Sequence, residues 1–147
     1  MNPVTPFRIL LAEDDDDDIF LFQEALQQVL VQTELVVSEN GMELMKIMHT
    51  ETTKPDMIFL DMNMPVKNGL ECLEEIRQLS GFENIPIVML STSVAQYLWE
   101  SAYQNGASRY IQKPTSFAGL VEILEKCIAG RLESDDTPGV EQFLIRN

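Results

Sequence analysis

The sequence predicts a doubly wound α/β fold, in which a five-stranded parallel sheet is flanked by five helices. Short apolar runs alternate along the chain with longer segments whose apolar residues recur at helical spacing. The apolar runs are continuous, as in parallel strands that are buried on both faces. The connections are short, which places successive strands parallel to one another with a helix between them.

Composition favours one acidic globular domain. The chain has 147 residues, is 45% hydrophobic and carries a net charge of -14, which disfavours binding to DNA, RNA or anionic lipid. It has no apolar stretch of about 20 residues that could span a bilayer and no signal-peptide pattern at its start, so we expect a cytoplasmic protein. Cys72 and Cys127 are expected to be free thiols, because they lie far apart and form no CxxC pair.

A run of six consecutive acids separates the first strand from the first helix. The strand is the apolar run 7–12, and the helix is the amphipathic segment 19–30. Aspartates before a helix ordinarily cap free backbone amides and suit the positive end of the helix dipole. Asp16, Asp17 and Asp18 are therefore interpreted as capping and solvated charge.

The middle of the chain predicts two strand–helix pairs. An apolar run ends in a single carboxylate, Asp61, and is followed by a loop that Pro65 and Gly69 delimit. A run bounded in this way is typical of a strand buried on both faces. The assigned elements are strands at 35–37 and 58–61 and helices at 41–49 and 69–79.

Two further pairs complete the predicted domain, residues 1–130. Turn signals delimit strands at 87–90 and 109–111 and helices at 94–105 and 116–129. Residues 131–147 are polar at first and apolar near their end, and no separate output domain is expected there. Three alternatives stay open for this tail: docking on its own domain, docking on a partner, and disorder.

Charged and polar residues follow four of the predicted strands, namely Glu13 and Asp14, Asp61, Ser91 and Lys113. They should lie close together, because the carboxyl ends of parallel strands meet at one edge of a sheet. Three neighbouring carboxylates repel one another unless a cation lies between them. Oxygen ligands without His or Cys select Mg²⁺ or Mn²⁺. The sequence therefore predicts a phosphoryl-transfer site.

The expected cation ligands are the carboxylates of Glu13, Asp14 and Asp61 and the backbone carbonyl of Asn63. The bound cation would offset negative charge on the group being transferred.

The expected phosphoryl acceptor is Asp61, whose carboxylate would attack phosphorus. Lys113 would pair with the phosphate as a compact cation, and the Ser91 hydroxyl would donate a hydrogen bond to it.

These residues carry a resemblance. The chain resembles the receiver domains of bacterial two-component response regulators over residues 7 to about 129. The matching motifs are Ile9-Leu10-Leu11-Ala12-Glu13-Asp14-Asp15, Leu60-Asp61-Met62-Asn63-Met64-Pro65 with Gly69, Leu90-Ser91-Thr92, and Tyr110-Ile111-Gln112-Lys113-Pro114. The resemblance implies a flavodoxin-like sheet with strand order 2-1-3-4-5.

The resemblance also implies roles for several residues. A histidine kinase or phosphotransfer protein would phosphorylate Asp61, and the pair Glu13 and Asp14 would bind Mg²⁺. Ser91 and Tyr110 would act as switch residues, the first moving toward the phosphoryl group and the second rotating inward. The responding surface would be helix four, strand five and helix five.

Three details qualify this resemblance. It implies a cis peptide bond between Lys113 and Pro114. Thr92 is larger than the small residue that usually follows the switch hydroxyl. The acidic run is longer than in a minimal chemotaxis regulator and closer to stand-alone regulators paired with phytochrome-like kinases.

The expected function is that of a stand-alone phospho-acceptor with a downstream protein target, and not of an enzyme with a separate catalytic domain. A homodimer through helices four and five is a further expectation. An aspartate-based phosphohydrolase is an alternative, but such enzymes need a second carboxylate two residues after the nucleophile, where this chain has Asn63. A receiver fold kept only as a scaffold would lack a site residue, and none is missing. A flavin or dinucleotide site lacks its glycine-rich loop.

Overall fold

A computed structural model of the chain describes residues 5–50, 54–133 and 143–146, without the side chains of residues 130–133. The strands are β1 Phe7–Ala12, β2 Thr33–Ser38, β3 Met57–Asp61, β4 Ile87–Ser91, β5 Arg109–Gln112 and β6 Leu144–Ile145. The helices are α1 Asp16–Gln27, α2 Gly41–Thr50, α3 Gly69–Gln78, α4 Gln96–Gln104 and α5 Phe117–Glu133.

All six strands are parallel and form one sheet in the order β2-β1-β3-β4-β5-β6. The five predicted strands, the five helices and the predicted order are confirmed. The sixth strand was not predicted. The prediction of a five-stranded sheet therefore omitted one edge strand.

The sheet is covered on both faces because its central strands are apolar throughout. Every residue of β3 and β4 is buried. One face packs against α2, α3 and α4 through residues such as Leu44 and Leu73, and the other packs against α1 and α5. On this second face the rings of Phe22 and Phe59 meet edge to face, with centroids 5.1 Å apart. Burial of these apolar faces is the main source of stability.

Helix α1 begins three residues earlier than the sequence suggested. Asp15 adopts an extended conformation, and its side chain accepts a hydrogen bond from the backbone N–H of Asp18 at 2.9 Å. Asp15 is thus the N-cap, and the first turn of α1 is made of Asp16, Asp17 and Asp18.

The guanidinium of Arg77 joins α3 to the segments that lead into β4 and β5. It donates hydrogen bonds to the carbonyl oxygens of Phe82 at 2.8 Å, Ile85 at 2.7 Å and Gly106 at 3.0 and 2.8 Å. Burial lowers the pKa of Arg77. The side chain therefore stabilises three loop carbonyls that no regular element satisfies.

The end of the chain docks on its own domain. Leu144 and Ile145 pair with Tyr110 and Ile111 of β5. The Phe143 side chain is fully buried, and its ring meets that of Tyr103 on α4 edge to face, with centroids 4.9 Å apart. Of the three alternatives for the tail, residues 143–146 thus follow the first, while residues 134–142 lie outside the described part. No helix in the described part is both long and apolar enough to cross a membrane.

Candidate functional site

The carboxyl ends of β1, β3, β4 and β5 meet at one edge of the sheet, as predicted. Glu13 and Asp14 follow β1, Asp61 ends β3, Ser91 ends β4 and Lys113 follows β5. The strand register brings Asp61 beside Leu90, the residue before Ser91. The structure therefore gathers all five predicted residues at one end of the molecule.

Three of these residues form an acidic cluster. Oxygen atoms of Glu13, Asp14 and Asp61 all lie within 4.8 Å of one another. Glu13 and Asp61 are buried, with 2% and 4% of their surface exposed, whereas Asp14 is exposed. An all-oxygen set of this kind, open to solvent on one side, suits a hard divalent cation that keeps several water ligands.

The cluster holds a proton when it holds no cation. Burial raises the pKa of Glu13 to about 8, and the hydrogen bond and negative charge of Asp61 raise it further against the opposing effect of Lys113. Glu13 is therefore largely protonated at neutral pH, which relieves repulsion between the two buried carboxyl groups. A cation must displace this proton to bind.

The ammonium group of Lys113 contacts three carboxylates from three different elements. Its Nζ lies 2.8 Å from Asp18 Oδ2, 3.0 Å from Asp61 Oδ2 and 3.1 Å from Glu13 Oε2. Burial lowers the pKa of Lys113, but hydrogen bonds to Asp18 and Asp61 and the charges of Asp61 and Glu13 raise it above its ordinary value. Lys113 is therefore charged and held directly beside Asp61.

Asp18 is the site residue that the sequence did not reveal. It was interpreted as capping and solvated charge, and this was wrong because its carboxylate pairs with Lys113. Four consecutive aspartates give no basis for choosing which one faces the site. The start of α1 at Asp16 decides the choice, and that start depends on the cap at Asp15.

Both carboxylate oxygens of Asp61 accept hydrogen bonds. Oδ1 accepts from the backbone N–H of Asn63 at 2.9 Å, and Oδ2 accepts from Lys113. The amide of Asn63 thus orients Asp61, while the role of its carbonyl as a cation ligand stays a prediction. Gly69 packs so closely that a Cβ there would overlap the Asp61 carbonyl oxygen, which explains the glycine at that position.

Ser91 and Tyr110, the predicted switch residues, are connected through one backbone unit. Ser91 is fully buried, and its Oγ accepts a hydrogen bond from the N–H of Ser93 at 3.1 Å. The Tyr110 hydroxyl donates to the carbonyl oxygen of Ser93 at 2.8 Å, and its side chain is fully buried. Burial raises the pKa of this hydroxyl. Movement of these side chains stays a prediction.

Two backbone features at the site differ from what the sequence suggested. The Lys113–Pro114 bond is trans, as are all described peptide bonds, so the expected cis bond was wrong. Trans is the lower-energy isomer even before proline, and the trans chain already brings Lys113 to Asp61. Val66, between β3 and α3, has φ +70°, and Lys67 N–H donates to the Pro65 carbonyl across it at 2.7 Å. This tight turn is strained at a β-branched residue.

Comparison with known proteins gave consistent results. Residues 9–125 match the family model described as the response regulator receiver domain. Response regulator Rcp1 of Synechocystis sp. is 30% identical over 142 residues, which cover 93% of this chain and 95% of Rcp1.

Two solved structures are similar over nearly their whole length. The phosphorylated cyanobacterial phytochrome response regulator RcpA is 34% identical, with a TM-score of 0.81, over 92% of this chain and 100% of that structure. The Mn²⁺-bound form of Rcp1 is 29% identical, with a TM-score of 0.78, over 91% of this chain and 100% of that structure.

Proposed function

Because this chain belongs to the response regulator receiver domain family, we propose that it signals by accepting a phosphoryl group on Asp61. One observation carries the assignment. Asp61 is a buried carboxylate whose Oδ2 contacts the Lys113 ammonium, with Glu13 and Asp14 within reach of the same cation. Among the described residues, this is the only group of three metal-ligating side chains.

The proposed reaction transfers a phosphoryl group from nitrogen or oxygen to the carboxylate. A carboxylate oxygen of Asp61 forms a bond to phosphorus, and the bond between phosphorus and the donor breaks. The electron pair of that bond leaves with the donor, and an acyl phosphate remains on Asp61. Lys113 holds a compact positive charge beside the oxygens that become negative in this step.

A divalent cation is the proposed cofactor. Glu13, Asp14 and Asp61, with the carbonyl of Asn63, would hold Mg²⁺ or Mn²⁺. The Mn²⁺-bound state of the similar protein Rcp1 supports this assignment. When bound, the cation offsets negative charge on the transferring group.

The proposed phosphoryl donor is a histidine kinase or a phosphotransfer protein. The similarity to the phytochrome response regulator RcpA favours a phytochrome-like kinase within that class. A downstream protein would read the face formed by α4, β5 and α5, because Tyr110 of β5 connects to the loop between β4 and α4.

Intact mass spectrometry tests the acceptor assignment. The wild type and Asp61→Asn would be incubated with acetyl phosphate and Mg²⁺. We expect a gain of one phosphoryl group on the wild type and none on Asp61→Asn. An equal gain on both would refute Asp61 as the acceptor, and no gain on the wild type would favour a scaffold. Multiple turnovers of a phosphomonoester by the wild type alone would favour the phosphohydrolase alternative.

Nuclear magnetic resonance tests the switch. Beryllium fluoride with Mg²⁺ should shift the amide resonances around Ser91, Tyr110 and α4 and leave those of α2 unchanged. An unchanged spectrum around Tyr110 would contradict the proposal. Sedimentation with and without the same phosphoryl mimic tests the predicted homodimer, and a monomer in both states would exclude it.

A further inference from the structure

The first turn of α1 supplies a third carboxylate to the cation of the site. Asp18 Oδ2 lies 2.8 Å from Lys113 Nζ, the shortest of the three contacts that this ammonium makes with carboxylates. Asp18 is half-buried, whereas Asp14 to Asp17 are all exposed. Of the acids in the α1 first turn, Asp18 is therefore the one that faces the site.

We propose that Asp18 is a positioning residue that holds the Lys113 ammonium and withholds part of its charge from the phosphoryl group, and so sets the lifetime of the acyl phosphate. The inference rests on the proposed function, since it concerns the same acceptor, Asp61. It adds a residue to the reaction that neither the motif nor the predicted cation cluster contains.

Phosphorylation changes the three carboxylates around Lys113 unequally. Asp61 loses its charge when its oxygen becomes part of the acyl phosphate. Glu13 belongs to the acidic cluster, so a bound cation would offset its charge. Asp18 is not part of that cluster and keeps its full charge in both states. After phosphorylation, Lys113 is therefore shared mainly between Asp18 and the phosphoryl oxygens.

The position of Asp18 is fixed by the helix rather than by its side chain alone. Its backbone N–H donates to the Asp15 side chain at 2.9 Å, and the next N–H, that of Ile19, donates to the Asp15 carbonyl at 3.0 Å. The carboxylate thus extends from a capped helix start toward a lysine 95 residues away in the sequence. An anchor of this kind restricts the directions in which the ammonium can point.

The charge of Asp18 weakens the attraction between Lys113 and the phosphoryl group. A carboxylate in hydrogen-bond contact with an ammonium cancels much of its field at other anions. Removing the charge while keeping a hydrogen-bond acceptor should strengthen the contact of Lys113 with the acyl phosphate. The ground state is then held more firmly, and the phosphoryl group should leave more slowly. Because the pair is partly exposed, we expect an effect of about three- to tenfold.

The test compares the decay of the acyl phosphate in four full-length proteins: wild type, Asp18→Asn, Asp18→Glu and Asp17→Asn. Each is phosphorylated with acetyl phosphate and Mg²⁺ and freed of the donor, and the decay is then followed by intact mass. We expect a half-life about three to ten times longer for Asp18→Asn. Asp18→Glu should restore a half-life close to that of the wild type, and the exposed neighbour Asp17→Asn should leave it unchanged.

A second measurement follows the lysine directly in the unphosphorylated proteins. The side-chain ammonium resonance of Lys113 should shift in Asp18→Asn, and its hydrogens should exchange with water faster. In Asp17→Asn both should match the wild type. A role of Asp18 in folding alone would leave this resonance unmoved in a folded variant, so the readout separates positioning from stability.

Two results would overturn the inference. One is an Asp18→Asn half-life equal to or shorter than those of the wild type and Asp17→Asn, and the other is an unshifted Lys113 resonance. Failure of the proposed function has a different outcome, because the wild type would then form no adduct on Asp61 and both proposals would fall together.

Discussion

Replacing Phe143 with alanine should release the tail from the domain. The ring is fully buried and packs on Tyr103, and the two residues that follow it form β6 against β5. In the described part of the tail, Phe143 is also the only fully buried side chain, because Leu144 and Ile145 are half-buried and Arg146 is exposed. Docking of residues 143–146 therefore depends chiefly on this ring.

The size of the effect follows from two opposing quantities. Truncating a buried Phe to Ala typically costs about 3–5 kcal/mol. Ordering the backbone of four residues costs about 4–8 kcal/mol, which the ring and the β6 contacts together must exceed. Without the ring, the remaining contacts no longer offset this cost, so the segment should undock and regain its entropy. The free energy of unfolding should then fall by about 2 kcal/mol, less than for a Phe inside the chain.

Two assays check this expectation. Urea unfolding can be followed by the fluorescence of Trp99, the single tryptophan of the chain, which lies on α4 beside the docked segment. Hydrogen exchange reports the amides of Leu144 and Ile145, whose protection should disappear in Phe143→Ala. Phe20→Ala is the matched control, because that ring is 58% exposed on α1. A stability loss no larger than that of Phe20→Ala, or retained protection in β6, would refute the reasoning.

Three other predictions concern the strained turn, the buried guanidinium and the acidic cluster. Val66→Gly should raise the free energy of unfolding by about 1 kcal/mol in urea, because it removes left-handed strain of about 1–2 kcal/mol at a modest entropic cost; no gain would mean that the turn is unstrained. Arg77→Lys should lower the free energy of unfolding by about 2–3 kcal/mol, because one ammonium cannot replace a fork that serves three carbonyls; a loss below 1 kcal/mol, roughly the value of a neutral hydrogen bond, would contradict this. Mg²⁺ affinity should rise by up to about tenfold per pH unit from pH 6 toward 8, because the pKa of Glu13 is about 8 and the cation must displace that proton. Calorimetry in two buffers would detect the released proton, and an unchanged pH dependence in Glu13→Gln would assign it elsewhere.

The parts of the site that lie on the ends of buried strands could be predicted from the sequence. Asp61 ends an uninterrupted apolar run, and a parallel sheet leaves such a residue at the edge where ligands bind. Ser91 and Lys113 follow by the same reasoning, since each comes directly after its own strand. In each case local pattern and topology lead to the same position.

Asp18, β6 and the conformation of Val66 could not be predicted because each depends on contacts between distant parts of the chain. The rotation of α1 selects Asp18 from four equivalent aspartates. The two residues of β6 are too few for any period, and only the space beside Tyr103 and β5 makes them a strand. The positive φ of Val66 results from closing a loop between β3 and α3 whose ends are already fixed.

The β6 strand also determines what another chain meets at this end of the sheet. An outermost strand presents unpaired backbone groups, which can template the addition of a further strand and lead to aggregation. Without the tail, β5 would be that outermost strand, directly beside the switch residue Tyr110. With it, the outer row belongs to two residues only, Leu144 and Ile145, which is too short to recruit a neighbour by backbone pairing. A protein that recognises α4 and its surroundings therefore contacts a composite surface, and changes in the last residues of the chain can alter its specificity without touching the phosphorylation site.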